Sequence, residues 1–534
     1  MIKKISSLFF AILFLNTYAT ECFSQYSVFQ NFYGGYGPGN ISSFQVSRSG
    51  GFVAAGSLCS NGTFDSSEVM LVKLDSAGGI QWKKNYGGNN IDDGESFLQL
   101  ADGGFLIAGI TKSFNQYFEV YLLKTDSLGN LYWSKTYNSS TYFPSSNFTA
   151  FLKIIETNDS CYLILCSLTV SSTYSFPIML KIDNNGNLLW AKDYNLGGIF
   201  LGKSIGVTYD GGYYIIGNWD SLSSGNGSVA CLVKTDSTGI VQWARKYAGS
   251  FNYNIGNGLQ STDHGYILSG STGNYTIHSQ DFLLIKTDPA GALQWSKTYG
   301  TSDDEGGIDV SKTADGGYAM SGATRIGGGF DKLCLVKTDS VGTFQWSAIY
   351  GNSSATKHGS DILVLDDGSY ILYGTQSSVT PSPFVVKTDP TGNSGCYTNS
   401  FYLNETNVLT FDSSLSISDS VIFITVDTPL TVMKTLYFVE GVICFGTSTD
   451  IKDTDISKSV SINPNPFSDQ LSLHFSIPQK EKAHITIFNS IGEIVFKKEI
   501  LLQDQSLNLS SLPHGFYLLN IRTDREVFTE KIMN

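Results

Sequence analysis

The residues able to do chemistry are few and scattered. Gly202-Lys203-Ser204-Ile205-Gly206 has the G-x-S-x-G spacing of a nucleophile elbow. That device needs a strand-to-helix turn to lift the serine hydroxyl clear of its sheet. Here the segment aligns with Gly94-Glu95-Ser96 and opens a predicted strand, so Ser204 reads as structural. The six histidines, His264, His278, His358, His474, His484 and His514, show no metal-ligand spacing. His264 replaces a turn glycine of a repeat. Two acidic loops, Asp92-Asp93-Gly94-Glu95 and Asp303-Asp304-Glu305, offer oxygen ligands of the kind Ca²⁺ takes. The other repeats lack them, so solvated turns are the preferred reading and no cofactor is expected beyond that Ca²⁺ option. No phosphate-binding loop is present, because the Gly-rich stretch 34–39 precedes no helix. No acid–base pair stands in any repeat-specific loop, so the chain reads as a binding protein and not an enzyme.

The elements that would position these residues come from a repeat. One unit reads ADGGFLIAG at 101, YDGGYYIIG at 209, TDHGYILSG at 262 and ADGGYAMSG at 314, with weaker copies at 49, 158 and 366. A second unit follows each, as in LVKTDSTGIVQWARKY. Its turn aspartates are Asp75, Asp126, Asp183, Asp236, Asp288, Asp339 and Asp389, spaced by 50 to 57 residues. Alternation and aromatic content predict four strands, A to D, per repeat. The A–B turn is Asp-Gly-Gly and the C–D turn Asp-x-x-Gly. Four strands in about 50 residues, repeated, predict an all-β, seven-bladed β-propeller. The seventh copy lacks strand D, and QYSVFQNFYGG near the start of the chain resembles one. Residues 25–395 are therefore read as a ring closed by its N-terminal strand, which removes an open edge. Trp82, Trp133, Trp190, Trp243, Trp295 and Trp346 recur in strand D and read as packing between blades.

Hydrophobic residues make up 41% and charged residues 15% of the 534, so the chain is globular. A net charge of −13 argues against nucleic acid, whose phosphates need a basic stripe. Residues 1–24 read as a signal peptide: Lys3 and Lys4, an apolar run from Leu8 to Leu15, then small residues Cys22 and Ser24 before the cut. That run is too short to span a bilayer, and no transmembrane span is expected in the mature chain. Cys396 and Cys444 are the disulfide candidates for an oxidising compartment. Residues 396–448 read as a β-rich extension, 449–458 as a linker, and 459–534 as a small antiparallel Ig-like sandwich.

Four ordered motifs in this last segment carry a resemblance. They are Asn463-Pro464-Asn465-Pro466, the turn at Gly492, Leu512-Pro513-x-Gly515-Phe516-Tyr517, and Lys531-Ile532. The segment resembles the type A C-terminal sorting domain of Bacteroidota type IX secretion cargo. The resemblance implies handling by the type IX machinery, passage through the periplasm, and release or attachment to surface lipopolysaccharide. The chain ends Ile532-Met533-Asn534 where that family usually places a basic residue. The D-x-x-G-x-x-x-W unit also resembles the docking repeat of quinoprotein propellers, with a turn one residue shorter. A quinoprotein-like dehydrogenase is thus one alternative, and a secreted polysaccharide- or peptide-acting enzyme another.

In a four-stranded meander the A–B and C–D turns share one face, and the B–C and D–A loops share the other. The second set carries the length variation and the exposed-looking aromatics Phe114, Tyr117, Tyr142, Phe143, Trp219, Tyr253 and Tyr275. Variable loops on a rigid scaffold concentrate function. These residues are therefore the expected site for a glycan or protein ligand, with capping of the blades as the bland alternative.

Overall fold

The computed structural model describes residues 27–533 apart from 36–38, 60–65, 139–146, 172, 221–226, 250–251, 274–279, 326–330, 352–355, 378–381, 396–397, 409, 416–417, 422–424, 428–431, 435–437, 448–459, 464–469, 476–481, 490–493, 502–504, 514 and 523–526. The expected signal peptide, the linker and Cys396 of the Cys396–Cys444 pair fall on residues outside this set. Among the described residues every regular element is a strand. The chain divides into two compact units, 1–448 and 449–534.

The first unit is the propeller. Six consecutive four-strand meanders run from Gly39–Val46 in blade 1 to Phe344–Tyr350 in blade 6. Blade 7 takes strands A to C from Thr356–Val364, Tyr370–Ser377 and Ser382–Lys387. Its fourth strand is Ser27–Gly35, which places Phe29 opposite Lys387 and Phe32 opposite Phe384.

The repeated residues explain how neighbouring blades adhere. Each strand-D Trp lies over the turn glycine of the next blade. A Cβ at Gly129 would meet the Trp82 ring at 3.0 Å, and one at Gly186 the Trp133 ring at 2.7 Å. That glycine also has φ +77° at Gly129, a left-handed value that other residues rarely adopt. Four residues after each Trp, a Tyr hydroxyl donates to the same glycine's carbonyl: Tyr86 to Gly129 at 2.6 Å, Tyr137 to Gly186 at 2.6 Å, Tyr350 to Gly392 at 2.7 Å. Each such bond contributes about 1 kcal/mol net. In blade 7 Phe29 stands at the Trp position, against Gly78 of blade 1 and 6.3 Å from the Phe52 ring. The apolar clusters accordingly lie between blades, as where Tyr86 and Leu71 of blade 1 meet Phe97 and Tyr121 of blade 2.

A second repeated glycine shapes the axis. In six blades strand A is bulged opposite a strand-B glycine, as between Gly94 and Ser96 opposite Gly109, and in blade 3 Cys166 stands at that place. A Cβ on Gly109 would lie 1.9 Å from the Asp93 carbonyl oxygen, so this close approach excludes any side chain. Below the A–B turns, buried strand-C lysines pair with turn aspartates: Lys181–Asp159 at 2.6 Å and Lys337–Asp315 at 2.7 Å. Hydrogen bonds from Lys181 and Thr157 hold Asp159 down at about 2. Asp315 also falls to about 2; burial works against this, and the bonds from Lys337 and Thr313 outweigh it.

The segment after the ring, expected as a β-rich extension, is built of strands that join the blades. It runs backwards around the propeller as a belt, adding a fifth strand to the strand-D edge of each blade. Thr398–Ser400 pairs with blade 6, Asn404–Asn407 with blade 5, Thr410–Ser414 with blade 4 and Ser418–Val421 with blade 3. Thr425–Asp427 and Val432–Lys434 continue on blades 2 and 1, and Phe438–Thr447 ends along the N-terminal strand in blade 7. Side chains fasten it. Ser296 Oγ donates to the Val408 carbonyl at 2.6 Å, and Ser347 Oγ to that of Phe401 at 2.5 Å. Glu405 accepts from Lys297 of blade 5 at 2.7 Å and from the Phe344 amide of blade 6 at 2.7 Å, so one belt residue joins two blades. Unpaired strand edges invite association, and the belt pairs all seven.

The second unit is a two-sheet sandwich. Val460–Asn463, Gln470–Phe475 and Gln505–Asn508 form one sheet, and Lys482–Phe488, Ile494–Leu501, Phe516–Arg522 and Val527–Met533 the other. Leu471, Leu473, Ile485, Ile487 and Leu519 lie in its core.

Candidate functional site

Two places gather polar groups. The first is the axis. Lys153 on strand A of blade 3 pairs at 3.6 Å with Asp361 on strand A of blade 7, a blade that is not its neighbour, so the contact spans the centre of the ring. Tyr373 donates to Asp361 at 2.6 Å, and the Ile362 amide donates to Asp309 at 2.9 Å. Glu95 occupies the bulge of blade 2. Burial first, then the Asp93 charge, push its carboxyl up to about 7, with Lys153 opposing. Burial alone lowers Lys203, in the bulge of blade 4, to about 8.

The second is an open groove of about 770 Å³ on the A–B-turn face, chiefly over blades 4 and 5. Tyr209 and His264 stand on adjacent A–B turns. Tyr209 is 77% exposed, and its ring stacks on His264 with centroids 3.9 Å apart and planes at 27°. His264 holds φ +67°, where five other blades have glycine. A non-glycine residue there costs roughly 1 kcal/mol. Gln260 fixes the two turns together: its Oε1 accepts from the Tyr209 amide at 2.8 Å and its Nε2 donates to the His264 carbonyl at 2.9 Å. Gln99 makes the same two bonds between Arg48 and Gly103 in blades 1 and 2. The latch is thus scaffold, and the stacked pair is the local addition. Tyr214 contributes to the lining, and Asn158 and Lys312 complete the polar wall.

The aromatics expected on the opposite face fare differently. Tyr253 is fully buried, its hydroxyl 2.6 Å from Thr410 of the belt, so it is a core residue. Its strand-A position turns the ring into the blade interface. Phe114 packs against the buried Tyr121 at 5.7 Å. Trp219 donates to the Gly197 carbonyl at 2.7 Å and carries Lys246 over its ring at 5.4 Å, so it caps a loop. Tyr117 is half-buried. Tyr142, Phe143 and Tyr275 lie outside the described residues. Among the described residues the exposed large apolar side chains of the blades, Val46, Leu128, Tyr132, Leu189, Tyr209, Ile240 and Val341, all sit at the A–B or C–D end.

The acidic loops are clamps. Asp92 accepts from Thr111, from Ser113 at 2.7 Å and from the Gly88 amide at 2.7 Å. Glu305 accepts from the Thr301 amide at 2.9 Å and hydroxyl at 2.6 Å, and from Thr324 at 3.2 Å. Both acids tie the D–A loop to strand B at equivalent positions. Asp93 accepts from Ser67 at 2.7 Å, and Asp304 faces Arg325 at 3.6 Å. Glu95 lies apart at the axis bulge, and Asp303 beside Asp304 joins no metal-holding group. Among the described residues no three such ligands converge. Ser204 of the G-x-S-x-G segment is buried and donates to the Gly258 carbonyl at 3.0 Å, which ties strand A of blade 4 to blade 5.

In the sorting motifs, Tyr517 is buried and donates to the Pro513 carbonyl at 2.6 Å, bracing the turn that holds Gly515. Lys531 pairs through its backbone with Leu518. Pro464, Asn465, Pro466 and Gly492 lie outside the described residues.

No curated protein matches this chain. Among solved structures, it is similar to PorZ, a surface component of the type IX secretion system of Porphyromonas gingivalis, at 10% identity over 92% of each chain with a TM-score of 0.18. It is also similar to the extracellular domain of the putative one component system BT4673 from B. thetaiotaomicron, at 11% identity over 95% of this chain and 99% of that one, with a TM-score of 0.18. At these scores the chains superpose poorly, and the blade assignment rests on the strand pairing described above. Residues 461–534 match the family model of the secretion system C-terminal sorting domain, so this β-propeller chain carries a type IX sorting tail and is exported to the cell surface or the extracellular space.

Proposed function

We propose that the chain is an exported, non-catalytic binding propeller that holds carbohydrate on the A–B-turn face of blades 4 and 5. The observation that carries this reading is Tyr209, an exposed ring braced by His264 in a strained turn. Exposed aromatic rings offer the flat apolar face against which a sugar ring packs, and Gln260, Asn158 and Lys312 add polar groups around it. Backbone strain kept at a surface position points to function more than to stability. The sorting tail supports a place of work outside the cell.

A glycan array with the full chain tests the reading. Tyr209→Ala and His264→Gly are expected to lower the affinity for bound glycans at least tenfold. An array without specific hits, or hits indifferent to both substitutions, contradicts it.

One observation favours a second reading, a hydrolase or lyase with its site in the ring. Glu95, at about 7, has the proton affinity of a general acid or base. Turnover of polysaccharide or peptide that survives stringent purification and is lost in Glu95→Gln would replace the binding reading.

A further inference from the structure

The groove differs from the rest of the molecule in charge. The chain carries −13, yet no Asp or Glu lines the groove, whereas Lys312 and His264 do. The two carboxylates nearest in sequence are each neutralised from below: Asp210 pairs with Lys234 at 2.9 Å, and Asp263 with Lys286 at 2.8 Å. Lys312, by contrast, makes no salt bridge among the described residues; the carboxylate that acts on it is Asp263, which Lys286 already pairs. It stands at the end of strand A of blade 6, exposed, on the wall of the groove that also holds the Tyr209–His264 platform. A lysine outside any salt bridge, on a wall that no carboxylate lines, in an acidic protein, sets a local positive potential. Such a point attracts anionic ligands and discriminates against neutral ones of the same shape.

We propose that the groove takes an acidic polysaccharide, with a sugar ring against Tyr209 and its anionic group on Lys312. This rests on the reading of the groove as a carbohydrate site and names the class of sugar. A uronate carboxylate and a sulfate ester offer the same chemistry to a lysine, so both sources enter the test.

Calorimetry on the full chain would compare oligogalacturonate with its fully methyl-esterified form, which keeps the ring and removes the charge. Sulfated chondroitin oligosaccharides give the second anionic arm. At least one acidic ligand is expected to bind tenfold or more tighter than the neutral ester, and to weaken with added salt. Lys312→Gln is expected to lower the acidic affinity about tenfold and leave the ester unchanged, while Tyr209→Ala weakens both. Lys135→Gln, on a distant blade, serves as the control for diffuse charge. Equal affinity for acid and ester, or equal losses in Lys312→Gln and Lys135→Gln, overturns the acidic-sugar assignment and leaves the groove reading standing. Binding that Tyr209→Ala does not alter, or no binding in any arm and none on the glycan array, overturns the groove reading itself.

Discussion

A histidine at φ +67° over a surface groove gives up stability for a ring in a particular place. His264→Gly restores the residue that five other blades use and removes the ring. It is expected to raise the denaturant midpoint slightly while lowering ligand affinity, the signature of a position kept for function. A lower midpoint would mean that the stack on Tyr209 is structural. Glu95 gives a prediction of opposite form. Its carboxyl is raised from 4.5 to about 7, so between those values the folded chain holds a proton that the unfolded chain has lost. The contribution is fully present below 4.5 and is lost as pH rises through 7. Stability should therefore fall between pH 5 and pH 8 by on the order of 2 kcal/mol from this group, and Glu95→Gln should flatten the fall. Denaturant unfolding at the two pH values checks it; an unchanged slope in the variant contradicts the burial of Glu95. The sequence grouped Glu95 with Asp92 and Asp93 in an acidic loop, a Ca²⁺ option behind the preferred reading of solvated turns. Strand alternation and the bulge separate them, and a bulge has no residue signature on its own strand. The clue lay opposite, in the strand-B glycine of FLIAG. His264 was visible as a departure from the turn pattern, yet nothing in the sequence said that two turns fifty-odd residues apart place its ring against Tyr209.

The repeat was legible at the level of elements because local rules set it. Asp-Gly-Gly and Asp-x-x-Gly turns fix register, and the Trp and Tyr of strand D mark one side of every blade interface. The belt was not legible. Its strands run mostly three to five residues, too short for alternation to show, and each pairs with a partner far away in the chain. What holds it is partly written in the blades: the Ser after the Trp in Trp295-Ser296 and Trp346-Ser347 bonds the belt carbonyls. Removing residues 398–447 leaves seven strand-D edges open and should make the chain associate further, into larger oligomers or aggregate by light scattering than the intact chain forms. A variant with the same scattering and the same midpoint as the intact chain would show that the belt is ornamental. Deleting residues 25–36 removes the strand between Ser382–Lys387 and Phe438–Thr447, so it opens the ring and unseats the belt end together. That variant should lose the cooperative transition of the propeller, and melting like the intact chain contradicts closure.

For the whole molecule, the proposed site stands on the face opposite to the one expected from loop variability. Loop variability pointed to the B–C and D–A side. The exposed apolar residues of the described blades and the stacked pair instead lie on the A–B and C–D side, where turn lengths are uniform and only single residues vary. Uniform length hid the variation: Arg48, Ala101, Asn158, Tyr209, Thr262, Ala314 and Asp366 occupy one position around the ring. Export and face choice together define the account, a secreted ring that presents one turn-lined face to its ligand. Hydrogen exchange of the full chain, with and without the tightest glycan from the array, tests this most directly. The account expects protection confined to the strand ends and turns at 206–214 and 258–266. Protection at 112–118 and 219–229, with none at those turns, would contradict it.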